Sequence, residues 1–211
     1  MRILFYLICW ALPLVANAQA LQKANDAQSR EMIAKINSRA AALNSIECDF
    51  TQVKTLRFLN DKMTSQGKMY FGGKDKLRWE YTKPYVYTFI INGQKVYMKS
   101  SKSSQTVDMR QSRLFQSIAQ VMMNSVTGKS LSANSDFGCT MYTAANDWVA
   151  VMVPKKKEMK KMFKEIKLHF SPTRQMVDKV EMTEQSGDLT VITLHDVKTN
   201  GKIDEKKFAA P

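Results

Sequence analysis

Large apolar side chains alternate with charged ones from Leu77 to Tyr81, and this pattern constrains the fold more than any other feature of the chain. Successive residues of a β-strand point to opposite sides of a sheet. Leu77, Trp79 and Tyr81 therefore predict one apolar face, whereas Arg78 and Glu80 predict a face in contact with water. The same period of two recurs along most of the chain, so we expect a largely antiparallel sheet with one bulky apolar face.

The expected strands are separated by turn signals, of which Asn92-Gly93 is the strongest hairpin signal in the chain. A sheet of sequentially paired strands combined with a few helices predicts a single α+β domain. The segments with a period of two are residues 46–52, 62–71, 77–81, 85–91, 95–99, 137–144, 148–153, 165–170, 176–182 and 189–197.

A helical period precedes the first of these strands. Met32 and Ile36 recur at helical spacing within residues 26–43, with Lys35 and Arg39 on the other side of the expected helix. Asp26 is the expected N-cap.

A second amphipathic helix is expected at residues 113–124, between two polar segments. A helix with flexible segments on both sides can move as a unit over the sheet, or it can pack there as an ordinary surface helix. Its apolar positions include Leu114, Phe115, Ile118 and Met122.

Residues 1–18 have the pattern of a secretory signal. A positive start is followed by an apolar run that ends near Val15, and Ala16-Asn17-Ala18 supplies a small-x-small cleavage site. We therefore expect an exported protein that begins at Gln19 and consists of one domain over residues 19–211.

The chain is strongly basic, with a formal net charge of +13 at pH 7. Such a charge favours anionic partners, and export argues against nucleic acid among them. Six lysines are concentrated between Lys155 and Lys164. This run is either a solvated face or a docking site for an acidic protein patch or anionic lipid headgroups.

The residues that carry catalysis are scarce. His169 and His195 lie in expected strands, and Asp196 points away from His195 because adjacent strand residues face opposite sides. Cys48 and Cys139 remain after the leader, either as a disulfide or as buried thiols. Nothing has the spacing of a metal site, a phosphate loop or a nucleophile elbow. We therefore expect a protein that is not an enzyme and needs no cofactor.

Methionine is abundant, with 14 residues in the chain. Because methionine is flexible and polarizable, it is common on surfaces that accept varied apolar ligands, although a Met-rich core is the simpler interpretation.

Several motifs, taken together in their order along the chain, resemble the family of periplasmic outer-membrane lipoprotein carriers, the LolA-like proteins. The resemblance extends over nearly all of residues 19–211. The motifs are Phe50-x-Gln52, Gly67, the segment 76–81, Pro84, Asn92-Gly93, Val153-Pro154-Lys155, Ile166-x-Leu168-x-Phe170, Gly187-x-x-Thr190, Asn200, Ile203, Phe208 and Pro211.

This resemblance implies an unclosed antiparallel β-barrel of about nine to eleven strands, whose concave apolar face is capped by helices. It also implies a periplasmic, monomeric carrier that shelters the acyl chains of lipoproteins. The implied partners are acylated lipoproteins, an inner-membrane ATP-driven extractor, and an outer-membrane acceptor that is a receptor or the membrane itself. A lipid-sensing regulatory module of the same fold, or a basic scaffold that binds no ligand, remains the alternative.

The resemblance also implies a ligand cavity and a lid. The expected cavity residues are Phe50, Leu77, Trp79, Tyr81, Phe89, Ile91 and Met98, and the expected lid residues are Leu114, Phe115, Ile118 and Met122. Many family members have an arginine and a proline before the strand at Leu77, and the arginine helps to hold the lid shut. Here Gly73 and Lys74 occupy those places, and lysine lacks the planar fork of arginine.

Overall fold

The computed structural model describes residues 21–73, 75–109, 131 and 136–210, and its described strands form one sheet. The strands are β1 (Gln22–Lys23), β2 (Ser45–Leu56), β3 (Asp61–Gly72), β4 (Lys76–Lys83), β5 (Tyr87–Asn92), β6 (Lys95–Ser100), β7 (Ser104–Asp108), β8 (Phe137–Thr143), β9 (Trp148–Pro154), β10 (Phe163–Ser171), β11 (Met176–Glu184) and β12 (Leu189–Thr199). The described helices are α1 (Asp26–Ala41), α2 (Lys157–Met162) and a C-terminal 3₁₀ helix (Glu205–Phe208).

The sheet has twelve strands in the order β1-β8-β9-β10-β11-β12-β2-β3-β4-β5-β6-β7. All described pairings are antiparallel, and the sheet does not close because β1 and β7 form its two edges. This arrangement confirms the expected open half-barrel of the α+β class.

Two strands were not expected from the sequence. β7 pairs with β6 although its sequence, Ser-Gln-Thr-Val-Asp, is mostly polar. A polar strand is stable at a sheet edge because only one side of its backbone must pair, and polar side chains discourage further pairing. The two-residue β1 is too short to show any period.

Helix α1 differs in two details from the expectation. Asn25, and not Asp26, is the N-cap, and it forms a capping box with Gln28. Arg39 does not lie on the solvent side, because its guanidinium donates a hydrogen bond of 3.2 Å to Thr199 Oγ1 and lies 3.6 Å from Met176 Sδ. The long side chain of Arg39 thus fastens the end of α1 to β11 and β12.

Two apolar clusters divide the sheet. In the helix-covered half, the β8–β11 strands pack with α1, whose Met32 and Ile36 are buried there with Leu168 and Phe170. In the aromatic half, most residues of the second cluster lie on strands β2–β6, among them Phe50, Trp79 and Phe89.

The outer side of β4 is not open to water, contrary to the expectation for Arg78 and Glu80. The C-terminal 3₁₀ helix lies over it, and Phe208 is buried against Tyr70 and Ile90. Arg78 donates to Glu80 at 2.8 Å and to the carbonyl of Lys207 at 3.2 Å. The alternation identified the two faces of β4 correctly, but a segment distant in sequence covers the polar one.

The expected leader, residues 1–18, and the expected lid residues Leu114, Phe115, Ile118 and Met122 lie outside the described residues. Within the described part of the chain, no helix has the length and hydropathy needed to cross a membrane.

Candidate functional site

The register of the sheet places all of the expected cavity residues on one face. Directly paired residues of neighbouring strands point to the same side. Trp79 pairs with Phe89, and Phe89 pairs with Met98, across three strands. Leu77 pairs with Ile91 on the same strands.

Gly67 connects the remaining two residues to this face. It pairs with Phe50 on β2 and with Tyr81 on β4, so that Phe50 and Tyr81 lie on the same side with no side chain between them. A Cβ at Gly67 would collide with the backbone oxygen of Glu80 and would lie 2.5 Å from the ring of Phe50. Glycine is therefore required for the close approach of these aromatic side chains.

The aromatic rings of this face form a continuous cluster. Phe50 stacks on Trp79 with ring centroids 4.2 Å apart, and it meets Tyr81 edge-on at 5.3 Å. Tyr81 also approaches Tyr85 at 5.6 Å and Tyr87 at 6.3 Å. These distances are typical of favourable aromatic pairs, and the cluster presents a broad apolar surface.

Burial decreases along β4, β5 and β6 toward the β4–β5 turn. Phe50 is 1% exposed, whereas Trp79 and Phe89 are 7% and 8% exposed. Tyr81, Tyr87 and Met98 are only partly buried and pack against the cluster. The face is therefore closed near the β3–β4 and β5–β6 turns and incompletely covered near the β4–β5 turn.

Burial keeps two polar groups of this face, the Tyr81 hydroxyl and the Cys48 thiol, protonated at neutral pH. The Tyr81 hydroxyl donates a hydrogen bond of 3.0 Å to Gln52 Oε1, and burial raises the pKa of Tyr81 above its ordinary value. Desolvation also raises the pKa of the Cys48 thiol to about 12. The face is thus suited to apolar contacts and not to acid–base or nucleophilic chemistry.

Sequence reasoning missed several members of this face. Met69 pairs with Trp79 and with Cys48, and it is completely buried. Leu194 pairs with Phe50 and extends the face onto β12. The alternation within β3 and β12 could have assigned these residues to a face, but only the register shows that it is the face of Trp79.

Gly73 has a backbone role in place of the arginine found in many family members. Its φ is +66°, and its amide donates a hydrogen bond of 2.8 Å to the carbonyl of Asn44. Because a left-handed conformation favours glycine, the turn before β4 accounts for this residue. Lys74 lies outside the described residues.

The two cysteines are free, and four strands separate β8 from β2 in the sheet. Cys139 packs beside the apolar cluster of the helix-covered half, whereas Cys48 belongs to that of the aromatic half. Desolvation raises the pKa of the Cys139 thiol to about 11, so both thiols stay protonated at neutral pH.

His169 lies on the opposite face of β10 from Leu168 and Phe170. Its Nδ1 is 3.3 Å from Asp147 Oδ2, and its Nε2 is 3.1 Å from Glu181 Oε1. The second contact has the distance of an ion pair. Among the described residues, no group of three or more His, Cys, Asp or Glu side chains is arranged to hold a metal ion.

Two relatives are similar over most of the chain. An outer-membrane lipoprotein carrier protein of Methylococcus capsulatus (strain ATCC 33009 / NCIMB 11132 / Bath) is 28% identical over 207 residues, which cover 96% of this chain and 91% of the relative. A protein of the same description from Pseudoalteromonas translucida (strain TAC 125) is 25% identical over 179 residues, with coverage of 82% and 79%.

Solved structures share the fold. The crystal structure of MucB matches with a TM-score of 0.52 and 10% identity, over 89% of this chain and 64% of MucB. The complex structure of Pseudomonas aeruginosa MucA/MucB gives a TM-score of 0.52 and 9% identity, over 87% of this chain and 61% of that one. At these identities the likeness concerns the half-barrel alone.

The family described as "Outer membrane lipoprotein carrier protein LolA" matches residues 41–211. This range contains every strand of the sheet except β1, and it includes the aromatic face and the C-terminal 3₁₀ helix. The chain belongs to the LolA family.

Proposed function

We propose that this protein is a periplasmic carrier that shelters the acyl chains of lipoproteins on its aromatic face and moves them from the inner to the outer membrane. The observation that carries the proposal is the apolar face itself, where the rings of Phe50, Trp79 and Tyr81 form a cluster beside the partly buried Met98. Membership of the LolA family supports the same function.

The physical reason for a carrier is the cost of exposing lipid to water. Each methylene removed from water contributes about 0.8 kcal/mol, so a lipoprotein with several acyl chains does not cross an aqueous compartment unsheltered. A face of aromatic rings and flexible methionine side chains replaces water contacts along an acyl chain without requiring one chain length. No proton transfer or covalent step is needed, which agrees with a face whose tyrosine and cysteine stay neutral.

The remaining parts of the proposal come from the family resemblance. An ATP-driven extractor of the inner membrane would load the carrier, and an acceptor at the outer membrane, either a receptor or the bilayer, would receive the cargo. Leu114, Phe115, Ile118 and Met122 would close the face as a lid. The carrier would act as a monomer after removal of residues 1–18.

The proposal is tested by following the binding of a synthetic triacylated lipopeptide to the purified chain. Beyond the expected leader, the tryptophans are Trp79 and Trp148. In a Trp148→Phe variant, the fluorescence of Trp79 therefore reports directly on the aromatic face. We expect saturable binding with a change in the Trp79 emission. We also expect that denaturing extraction of the purified folded protein, followed by lipid mass spectrometry, detects bound acyl chains.

A pair of charge variants locates the site. Met98→Glu places a carboxylate on the aromatic face, and we expect it to weaken lipopeptide binding by at least tenfold, because a charge must be desolvated to accommodate an acyl chain. Thr106→Glu adds the same charge to an exposed position on β7 whose partner, Tyr97, lies on the outer face. This control should bind as well as the unmodified chain.

The charged variant Trp79→Glu should likewise abolish transfer of lipoprotein from inner membranes while the sheet remains folded. Normal transfer by Trp79→Glu, or equal loss in Met98→Glu and Thr106→Glu, would contradict the site. A chain that yields no acyl chains and binds no lipopeptide is a scaffold, whereas ligand-dependent capture of one stable protein partner without cargo release indicates a sensor.

A further inference from the structure

Five connections of the described chain lie at the same end of the sheet, and one of them is the polar β6–β7 turn. Because the strands are antiparallel, the β2–β3 and β4–β5 turns are on this end together with the β11–β12 turn and α2. We call this end the rim and define it by residues 57–60, 84–86, 155–162 and 185–188.

Exposed apolar side chains are concentrated at the rim. Phe58 is 96% exposed and Leu59 is 65% exposed at the tip of the β2–β3 hairpin, where neither rests on the apolar core. Among the described residues, six of the seven large exposed hydrophobic side chains lie in the rim or within three residues of it: Phe58, Leu59, Met63, Tyr85, Val86 and Val153. The seventh is Leu21. An accumulation of this kind on one edge marks an interaction surface.

The lysine run occupies the same rim. Met159 is buried and anchors α2, whereas Lys157, Lys160 and Lys161 are exposed on the other sides of the helix. Lys156 pairs with Asp136 at 2.9 Å. The rim therefore combines a concentration of positive charge with protruding apolar side chains.

Direct contacts join the lysine helix to the apolar hairpin. The Gln185 side chain donates a hydrogen bond of 2.7 Å to the carbonyl of Lys160. Two residues beyond it, Gly187 has a φ of +90°, and a Cβ there would lie 2.9 Å from the side chain of Arg57. The Arg57 amide in turn donates to Asp188 at 2.9 Å. Through these contacts the helix, the β11–β12 turn and the Phe58 hairpin form one connected edge.

We propose that the rim docks on a lipid bilayer that carries anionic headgroups, with Phe58 and Leu59 inserted among the lipids and the lysines of α2 at the headgroups. A protein partner would need a shaped pocket for each separate tip, whereas a fluid bilayer accepts isolated tips at turns without complementary shape. Basic residues next to protruding aromatic and aliphatic side chains have the chemistry of an interfacial membrane anchor. The rim adjoins the aromatic face at Tyr85, but Phe58, Leu59 and the lysines of α2 lie outside that face, and their binding does not require cargo.

The experiment measures partition of the full chain, purified after export, onto vesicles of phosphatidylcholine alone and of phosphatidylcholine mixed with phosphatidylglycerol. We expect stronger binding to the anionic vesicles, reduced by added salt. Each lysine at such a surface contributes about fivefold to partition, so the reversed charges of Lys160→Glu with Lys161→Glu should reduce binding more than tenfold. Phe58→Ser with Leu59→Ser should reduce it on the order of tenfold or more, because both apolar side chains would stay in water.

A matched control changes the same charge at the opposite end of the molecule. Lys23 and Lys202 are exposed and distant from the rim. Lys23→Glu with Lys202→Glu should bind anionic vesicles within about twofold of the unmodified chain, because these lysines lie beyond a Debye length from a bilayer held at the rim. Equal loss in the control and in the α2 variant would show a net-charge effect and overturn the proposal.

Other outcomes are equally decisive. Failure of the unmodified chain to bind anionic vesicles overturns the proposal, and so does binding that requires a membrane protein in the vesicles, which would assign the rim to a protein partner. Lipopeptide binding measured on the same variants should be unchanged. A loss of lipopeptide binding would concern the aromatic face. The two assays therefore distinguish failure of the carrier function from failure of membrane docking.

Discussion

The two halves of the sheet use their concave sides differently. In the helix-covered half, α1 rests on the strands, and Ile166, Leu168 and Phe170 are fully buried at 0% exposure. In the aromatic half, Trp79 and Phe89 keep 7% and 8% of their surface exposed, and further tyrosines and methionines are only partly buried. One continuous sheet thus provides both a protein core and, in our proposal, a lipid-binding face.

The convex sides differ as well. Behind the aromatic half, the C-terminal 3₁₀ helix covers Tyr70 and Ile90 with Phe208. Behind the helix-covered half, His169 lies among carboxylates with Asp147 and Glu181 at its two nitrogens. The outer side of the aromatic half is thus covered by apolar packing, whereas the outer side of the helix-covered half contains charged and titratable groups.

The largest effect should come from truncating one phenylalanine in each half. Phe170→Ala should lower the free energy of unfolding by about 3–5 kcal/mol, because it opens a cavity in a closed core. Phe89→Ala should cost less, about 2 kcal/mol, since the flexible and partly buried Met98, its partner on β6, can move toward the space. Urea denaturation of the two variants measures both values. Equal losses would show that both halves are ordinary core and would remove the basis of the comparison.

Much of this division was predictable from sequence. Alternation in residues 77–81 correctly placed Leu77, Trp79 and Tyr81 on one side of β4, since a period of two determines the face within a strand. The polar β7 and the two-residue β1 were not predictable, because an edge strand needs little hydrophobic pattern. Coverage of Arg78 by the C-terminal helix depends on a tertiary contact that no local pattern contains.

The candidate site was predictable within strands but not between them. Phe50 and Tyr81 are on strands separated by β3, and they meet only because Gly67 lies between them. Which residues pair across strands depends on the turn lengths and on a register shift beside Gly67, and a single sequence does not specify these. The rim was hidden for the same reason, because Phe58 and Lys160 are distant in sequence.

The next effect tests the outer support of the aromatic half. Phe208→Ala should lower the free energy of unfolding by about 2–3 kcal/mol, less than a core phenylalanine, because the 3₁₀ helix can detach and so limits the loss. Hydrogen exchange should accelerate at the Ala209 amide, which donates to the carbonyl of Lys206. The exposed Lys206→Ala serves as a control with no loss of stability. If Phe208→Ala costs as much as Phe170→Ala, the segment is an integral part of the core.

The cluster of His169, Asp147 and Glu181 behind the helix-covered half should make the free energy of unfolding depend on pH. The His169 contact at 3.1 Å, assisted by Lys179 at 3.3 Å, holds the pKa of Glu181 at about 2, below its ordinary 4.5. A depressed carboxyl pKa stabilises the fold above pH 4.5, and this contribution is lost as the pH falls from 4.5 toward 2. Partial exposure of Glu181 reduces the contribution to about 1–2 kcal/mol.

Urea denaturation at several pH values between 7 and 3 measures this contribution. Glu181→Gln should be less stable than the unmodified chain at pH 7, and the difference should shrink as the pH falls. Glu158→Gln, the same substitution at an exposed position of α2, is the control and should leave the acid dependence of the stability unaltered. Parallel curves for Glu181→Gln and the unmodified chain would show that the His169 contact does not stabilise the fold.

The smallest effect has the opposite sign and comes from Asp178, at the bulge where the β10–β11 register shifts. Burial and the nearby Asp147 raise the Asp178 pKa, although Arg174 at 3.6 Å opposes this. A raised carboxyl pKa means that ionised Asp178 destabilises the fold at neutral pH, and that this cost disappears on acidification. Asp178→Asn should therefore raise the free energy of unfolding at pH 7 by at most about 1 kcal/mol, with no gain at pH 3. A loss at pH 7 would mean that the Arg174 ion pair outweighs burial, so that the outer charges of the helix-covered half all stabilise it.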